Sequence, residues 1–429
     1  MGGRPSPNRF VTARFVTEIF FPQRIALKID GRSYSPNVLE KVMYCAGTQP
    51  AYHLASKALD KVGDISITGR HIGNLAEGIG EELANERDAR AAAYFEQTLP
   101  RVRTDPGTPI PLASVDGGRM QTREDGGPNG VQQPHWRETK NALFMRMTGV
   151  AFEVDPHPEL PECFRDRGYM KKLLSGLADE GDFEPEAAKE KSKSDLRSWR
   201  PERLFRTCLS SLCDSNSFGR MMEAEADSRG FFKAAKQAFV GDGLQYNWTI
   251  QQRHFPTFTP ILDFPHAIER VYETARALHG NGDRAWELYV HWITECWQGR
   301  VANVLQDLQR EQSQRGEPPK DCEDKDPRKV LAETITYLRN KLSRMDYPRY
   351  RREGLPLTSA HMESLVKEIG YRVKGTEKFW NDGPSAESIL QIRAAALCDD
   401  DRLEQHLRNR PGNPFHPNVK ATPAITTAA

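Results

Sequence analysis

The chain has no pair of cysteines spaced as Cys-x-x-Cys, no apolar run of membrane-spanning length and no charge excess to speak of. The seven cysteines (Cys45, Cys163, Cys208, Cys213, Cys296, Cys322 and Cys398) are odd in number, and the nearest two in sequence, Cys208 and Cys213, are not spaced as zinc ligands usually are. Structural zinc and a disulfide framework are therefore disfavoured, and reduced thiols are expected. Without a signal-peptide core or an apolar segment long enough to span a bilayer, the chain is expected to be soluble and intracellular. Sixty basic residues against fifty-nine acidic ones give a formal net charge of +1, so the total says nothing about partners and only local charge can. No internal repeat is visible.

What the chain does have is length for two or three domains and a sequence that changes character along its 429 residues. Residues 1–105 read as a mainly helical unit, with a strand or two in the aromatic stretch Phe10–Ile29 and helices after Ser35-Pro36. Leu54, Ala55, Ala58 and Leu59 form one apolar stripe, and Ile72, Leu75, Ile79 and Leu83 another. Between them DKVGDISIT supplies a turn with Gly63 and an N-cap at Thr68. Two short amphipathic helices joined this way have the form of a helix-turn-helix, in which Arg70, His71 and Asn74 would face DNA; a plain helical hairpin is the commoner meaning.

Residues 101–112 read as a linker rich in Pro, Thr and Gly. ASVDGGRM and NALFMRMTGVAFEV read as strands flanking a loop at 124–134, and 179–195 as an exposed loop or frayed helix. RLFRTCLSSL and MMEAEADSRGFFKAAKQ read as helical, AFVGD and FTPILDF as short strands. From Pro265 a strong helix begins, with Ile268, Val271, Tyr272, Ala275 and Leu278 on one face, and most of 267–345 is helical by period around a hydrophilic loop at 311–327. Trp286, Trp292 and Trp297 in this part read first as core. A last helix is expected at 385–397, and the Pro/Thr/Ala-rich end as a disordered tail.

Three acids stand out: Asp116 and Asp242, each followed by glycine after a short apolar run, and Glu363 within a helical pattern. Two strand-borne carboxylates and one on a helix could hold two divalent ions, which prefer carboxylate, water and phosphate oxygens and would serve in-line phosphoryl transfer. Singly, an Asp-Gly is most often a turn and a helical Glu is solvated; a carboxylate pair could also serve glycoside hydrolysis.

Four segments taken together resemble the DDE transposases of bacterial insertion sequences, of the ISKra-type group related to Mutator-like enzymes. They are VDGGRMQTR with HWRETKNALF, then FVGDGLQYNW, then LDFPHAIERV with its Asp-x-x-His pair Asp263 and His266, and YRREGLPLTSAHMESLVKEIGYRVKGTEKFW. The similarity spans about 110–400, with a looser match at 35–85. The resemblance implies an α/β catalytic core, RNase H-like, with a mixed sheet flanked by helices and interrupted by an all-α insertion, behind an N-terminal helix-turn-helix-like domain. It divides the chain into 1–105 (DNA-binding), 106–266 (first part of the core), 267–348 (insertion), 349–410 (second part of the core) and 411–429 (tail). By the same resemblance Asp116, Asp242 and Glu363 hold two Mg²⁺ or Mn²⁺ ions, and His266 sits close enough to touch phosphate or a metal-bound water. The partners implied are double-stranded DNA, as transposon ends and target, and further copies of the chain in a homodimer or larger assembly; the place implied is the bacterial cytoplasm, at the nucleoid. Where the family usually carries a Gly-Ser-Gly-like run before the Glu, this chain has Thr358, Ser359, Ala360 and His361, which leaves open an inactive copy. A nuclease without strand transfer and a domesticated DNA-binding protein are the alternatives.

Arg339, Lys341, Arg344, Arg349, Arg351 and Arg352 face only Asp346, with Tyr347 and Tyr350 among them, and Lys367, Arg372, Lys374 and Lys378 follow. Basic residues interleaved with aromatics suit phosphate contact and base stacking, although a charge run is usually a solvated face. Arg119, Arg344, Arg349, Arg351, Arg352, Lys374 and Trp380 are therefore expected along DNA, with Arg70 and Asn74 at the N-terminal end.

Overall fold

A computed structural model describes residues 34–99, 109–123, 135–178, 199–375, 378–381 and 383–410. The strand expected within 10–29, the loops at 124–134 and 179–195, and the tail lie outside the described residues.

The helices begin where side chains can cap them. Ser35 accepts from the Val38 amide ahead of α1 (Pro36–Thr48), and Thr68 from the His71 amide ahead of α3 (Gly69–Phe95), as the sequence suggested. Between them lies α2 (Tyr52–Gly63). Leu39, Val42, Met43 and Ala46 of α1, and Ile72, Leu75, Ala76 and Ile79 of α3, are buried at helical spacing.

The sheet is built from β1 (Ile110–Arg123), β2 (Trp136–Met147), β3 (Arg203–Ser211), β4 (Ala238–Gly241), β5 (Thr259–Leu262) and β6 (Phe379–Asn381). Its order is β3-β2-β1-β4-β5, with β6 also on β1. β2 runs antiparallel to both β1 and β3, whereas β4 and β5 run parallel to β1. Phe239 and Val240 of β4 are fully buried although they point to opposite faces, as befits a parallel strand covered on both sides. One side of β1 pairs with β4 only over Leu112–Ser114 and with β6 only over Gln121–Arg123. Residues 115–120 of β1 thus face a split between β4 and β6.

Helices α4 (Arg167–Ala178), α5 (Ser215–Ser228) and α6 (Gln245–His254) lie among these strands in the chain. After β5 come α7 (Phe264–His279), α8 (Asp283–Trp297), α9 (Val301–Arg315) and α10 (Pro327–Lys341), each packed on its neighbours in the series, with α10 also on α7. Tyr289, Trp292, Ile293, Cys296 and Trp297 of α8 are buried, so two of the three tryptophans are core and Trp286 is packed at its margin. The fold closes with α11 (Tyr347–Glu353), α12 (Ala360–Val373), α13 (Pro384–Ala396) and α14 (Arg402–Asn409).

The N-terminal helices share their core with the rest. A Cβ on Gly80 of α3 would stand 2.3 Å from the Ser388 carbonyl oxygen of α13, an approach only glycine allows. Arg87 reaches Glu387 at 2.6 Å, and Glu387 also accepts from the Ser211 hydroxyl at the end of β3.

Several local expectations are corrected. RLFRTCLSSL is the strand β3, not a helix: its backbone pairs with β2 from Met147 to Lys140 in antiparallel register, and tertiary pairing overrides a weak local pattern. β2 ends at Met147, so the expected strand does not continue through Val154. β1 already begins at Ile110, inside the expected linker, and α9 persists to Arg315, inside the expected loop. The cysteines are free; Cys208 lies not beside Cys213 but 3.6 Å from Cys398, sulfur to sulfur. The chain contains, among its described residues, no helix long and apolar enough to cross a membrane.

Candidate active site

Asp116 sits where β1 faces the split, two residues past the Ser114–Val240 pairing, and Asp242 follows β4 at the matching distance. The two carboxylates are thereby brought side by side at the end of the parallel pair, the place where open α/β sheets bind ligands. Each folds back on its own glycine: Gly117 N–H donates to Asp116 Oδ1 at 2.6 Å, and Gly243 N–H to Asp242 Oδ1 at 2.5 Å. Asp242 Oδ1 also accepts from the Leu244 amide at 3.0 Å and from Asn247 Nδ2 at 2.8 Å. All these bonds fall on Oδ1, which fixes the rotamer and leaves Oδ2 to the site.

Glu363 lies in the first turn of α12, a helix that packs on β1. Asp263 caps α7, is fully buried, and takes three donors: the His266 amide at 3.1 Å, His266 Nδ1 at 2.6 Å and the Ser359 amide at 2.6 Å. Ser359 Oγ in turn lies 3.5 Å from Glu363 Oε1. One atom each of Asp263, His266 and Glu363 falls within 4.8 Å of the others, a spacing that could hold a metal ion.

The electrostatics describe one cluster. Burial, then the neighbouring Asp242, push the Asp116 carboxyl up to about 7, with Glu363 adding to the rise. Burial and Asp263 raise the Glu363 carboxyl as well. Burial pulls His266 down, but its hydrogen bond to Asp263 and the charges of Asp263, Asp242 and Glu363 lift it to about 10, so it is a cation at neutral pH. Acids held together at this cost are what a bound cation relieves, and a donor set of carboxylates suits Mg²⁺ or Mn²⁺, with the charged His266 beside it as a hydrogen-bond donor.

The bases expected along DNA divide. Arg70 and Asn74 are exposed on α3, Arg119 on β1, and Arg349 and Arg352 on α11. Arg349 is paired with Glu353 at 2.9 Å. Lys374 lies near enough to Arg119 for the two charges to interact, so this pair flanks the split. Arg344 is half-buried over the Trp248 ring.

Five residues of this basic and aromatic stretch are engaged within the protein instead. Arg351 is fully buried, bound to Asp155 with its Nε at 2.8 Å and stacked on Trp297, so it braces the core and cannot meet DNA. Arg372 is buried too, donating to the Ala46 carbonyl at 2.7 Å. Trp380 donates its indole N–H to the Val373 carbonyl and packs between Tyr52 and Arg372, which removes it from base stacking. Tyr347 and Tyr350, read as stacking residues, are buried with their hydroxyls on the carbonyls of Leu262 and Pro260 of β5. In each case the long side chain spends its polar end on a backbone carbonyl or a half-buried acid, which a one-dimensional charge run does not reveal.

The sequence reading also missed residues. Tyr246 has a buried hydroxyl with no partner among the described residues, close enough to feel Asp116 and Asp242. Lys341 is buried within reach of Asp242. Tyr246 lies at the start of α6, just after Asp242, and could have been found from the spacing, whereas nothing local links Lys341 to an acid so distant in the chain.

Comparison with protein-family models and with curated proteins found no match to the chain.

Proposed function

We propose that this protein is a metal-dependent DNA phosphoryl-transferase of the DDE kind, a transposase with an RNase H-like core. The observation that carries the reading is the convergence of Asp116, Asp242, Asp263 and Glu363, from four separate segments, on the split beside β1. The β3-β2-β1-β4-β5 order with β2 antiparallel supports the RNase H-like assignment, and the four helices α7–α10 that follow β5 support the interrupted form of it.

Asp116, Asp242 and Glu363 would hold the ions, which supply charge to activate an attacking water or 3′-hydroxyl and to stabilise the departing oxygen. The chain's own residues do the rest. Asp263 fixes the Ser359 turn from which Glu363 projects and holds His266 by Nδ1, leaving Nε2 to donate toward a phosphate oxygen. The altered approach through Thr358, Ser359, Ala360 and His361 fits this arrangement, because Ser359 supplies both the amide that Asp263 binds and a hydroxyl facing Glu363. The α2–α3 pair, with Arg70 and Asn74 outward, serves as the element that reads DNA ends, and a dimer or larger assembly brings two ends together. The working place is the bacterial cytoplasm.

The test is nicking of supercoiled plasmid in Mg²⁺ or Mn²⁺, followed by joining of a labelled 3′-hydroxyl duplex to target DNA. Metal-dependent nicking and joining, lost in both Asp116→Ala and Glu363→Ala, supports the transposase. Nicking without joining makes the protein a nuclease on the same fold. Binding without any cleavage makes it a silent DNA-binding derivative, and cleavage surviving in either variant removes the triad.

A further inference from the structure

Beside the Asp242 turn stand two cations that no described carboxylate pairs. Trp248 of α6 is 1% exposed, its indole N–H has no acceptor among the described residues, and its ring edge would lie 3.4 Å from a Cβ on Gly241, the residue before Asp242. Lys341, at the end of α10, is 5% exposed and holds its ammonium 5.1 Å from the centre of that ring. Arg344, in the turn that follows, holds its guanidinium carbon 4.1 Å from the same centre. Among the described residues neither has a carboxylate at ion-pair distance. Their position is fixed by Tyr337, one turn before Lys341 on the same face of α10, whose hydroxyl donates to the Asp242 carbonyl at 3.1 Å. The fit is close: a Cβ on Gly243 would meet the Tyr337 ring at 2.8 Å.

Two like charges on one ring, partly out of water and unpaired, are an unfavourable arrangement that the ring quadrupole offsets only in part. Burial first, and then the neighbouring Arg344, lower Lys341 to about 8, against the pull of Asp242. An anion would satisfy both, and the guanidinium fork suits phosphate oxygens while the ammonium serves as a point charge.

We propose that Lys341 and Arg344, seated on Trp248, form a binding site for a phosphodiester group of the DNA backbone immediately beside the Asp242 carboxylate. The site rests on the reading of the carboxylate cluster as a phosphoryl-transfer centre, and adds to His266 two further positive charges to hold a polyanion against four acids. It also gives the helical insertion a task, since α10 carries the lysine to the core.

The experiment measures binding of a labelled DNA duplex to the full chain by fluorescence anisotropy in EDTA across a range of salt. It compares wild type with Lys341→Met/Arg344→Met and with Lys341→Arg. Methionine keeps the apolar stem on the indole, and a thermal melt of each variant reports folding. The double variant is expected to bind about ten-fold or more weakly at low salt, with its log–log salt slope reduced by about 0.9 for each lost contact, while Lys341→Arg keeps both near wild type. An unchanged slope and affinity in a folded double variant overturns the site, even if Asp116→Ala has abolished cleavage. If inorganic phosphate raises the melting temperature of wild type alone while duplex binding is unchanged, the site takes free phosphate and the backbone assignment is overturned. If wild type binds no duplex, the phosphoryl-transfer reading falls and this site with it.

Discussion

The Asp263 carboxylate accepts the Ser359 amide at 2.6 Å across a sequence separation of 96 residues. The same side chain holds His266 at 2.6 Å, so one buried group sets the first turn of α7 and the approach to α12 together.

Removing that group should loosen Glu363 without touching it. Asp263→Ala leaves the Ser359 N–H buried and unpaired, a loss of about 1–3 kcal/mol in urea unfolding. Metal-dependent nicking should fall roughly 10–100-fold with a weaker apparent Mg²⁺ affinity, as when groups that orient metal ligands are lost. Asp263→Asn, which keeps an acceptor, should fall between. Wild-type nicking in Asp263→Ala would refute the positioning role.

Asp116 should trade stability for the site. Its folded-state value of about 7 lies above the unfolded carboxyl, so its contribution is fully present below pH 4 and is lost as pH rises through 7. At pH 8 in EDTA, Asp116→Asn should therefore be more stable than wild type by roughly 1–3 kcal/mol. Added Mg²⁺ should raise the melting temperature of wild type and leave the variant little changed. A destabilised Asp116→Asn under these conditions would contradict the repulsion described.

Neighbours on α11 should behave oppositely. Arg351→Ala strands the Asp155 carboxylate and empties space beside Trp297, so it should cost about 3–5 kcal/mol in unfolding experiments. Arg352→Ala, at an exposed position, should leave stability within about 0.5 kcal/mol. Its expected effect is instead on DNA, a reduction of the salt slope by about 1 if it meets a phosphate. Equal unfolding midpoints for the two variants would show the assignment to be wrong.

α14 is tied to α3 by a titrating pair of contacts. His406 lies 3.1 Å from Glu82 and 2.9 Å from Glu86; burial pulls it down, but these acids lift it to about 9. Burial raises Glu82, but His406 and Arg410 bring it to about 2. The histidine's contribution is whole below about pH 6.5 and is lost through pH 9; that of Glu82 is whole above about pH 4.5 and is lost as pH falls toward 2. Stability should be highest between those limits, and the alkaline loss, about 1–2 kcal/mol once solvent screening at the half-exposed Glu86 is allowed for, should vanish in His406→Gln. Chemical denaturation at pH 6 and pH 9.5 for both proteins decides it.

How legible the site was depended on how local its cause is. The caps at Ser35 and Thr68 act within one turn, and they stood in the sequence. Asp116 and Asp242 were visible because each ends an apolar run and precedes glycine. β3 was not, because what makes RLFRTCLSS a strand is its pairing with β2, which lies more than fifty residues back in the chain. The same holds for the basic run. Arg344, Arg351 and Arg352 look alike in sequence, and only tertiary packing separates a cation on Trp248 from a core brace and a solvent-exposed side chain. Lys341 and Asp242 could be joined by no local rule.

The tyrosines of α11 bear on how copies of this chain can meet. Their hydroxyls occupy carbonyls of β5, the outer strand on one side, and on the other side the Arg206 carbonyl of β3 accepts the Asp399 amide while the Arg206 amide donates to the Asp399 carboxylate. Both rims of the sheet are thus partly blocked to strand addition, which guards against edge-to-edge aggregation. An assembly that pairs two DNA ends would then have to be sought among helix–helix contacts, and cross-linking between engineered cysteines on helices rather than on β3 or β5 is the way to trap it.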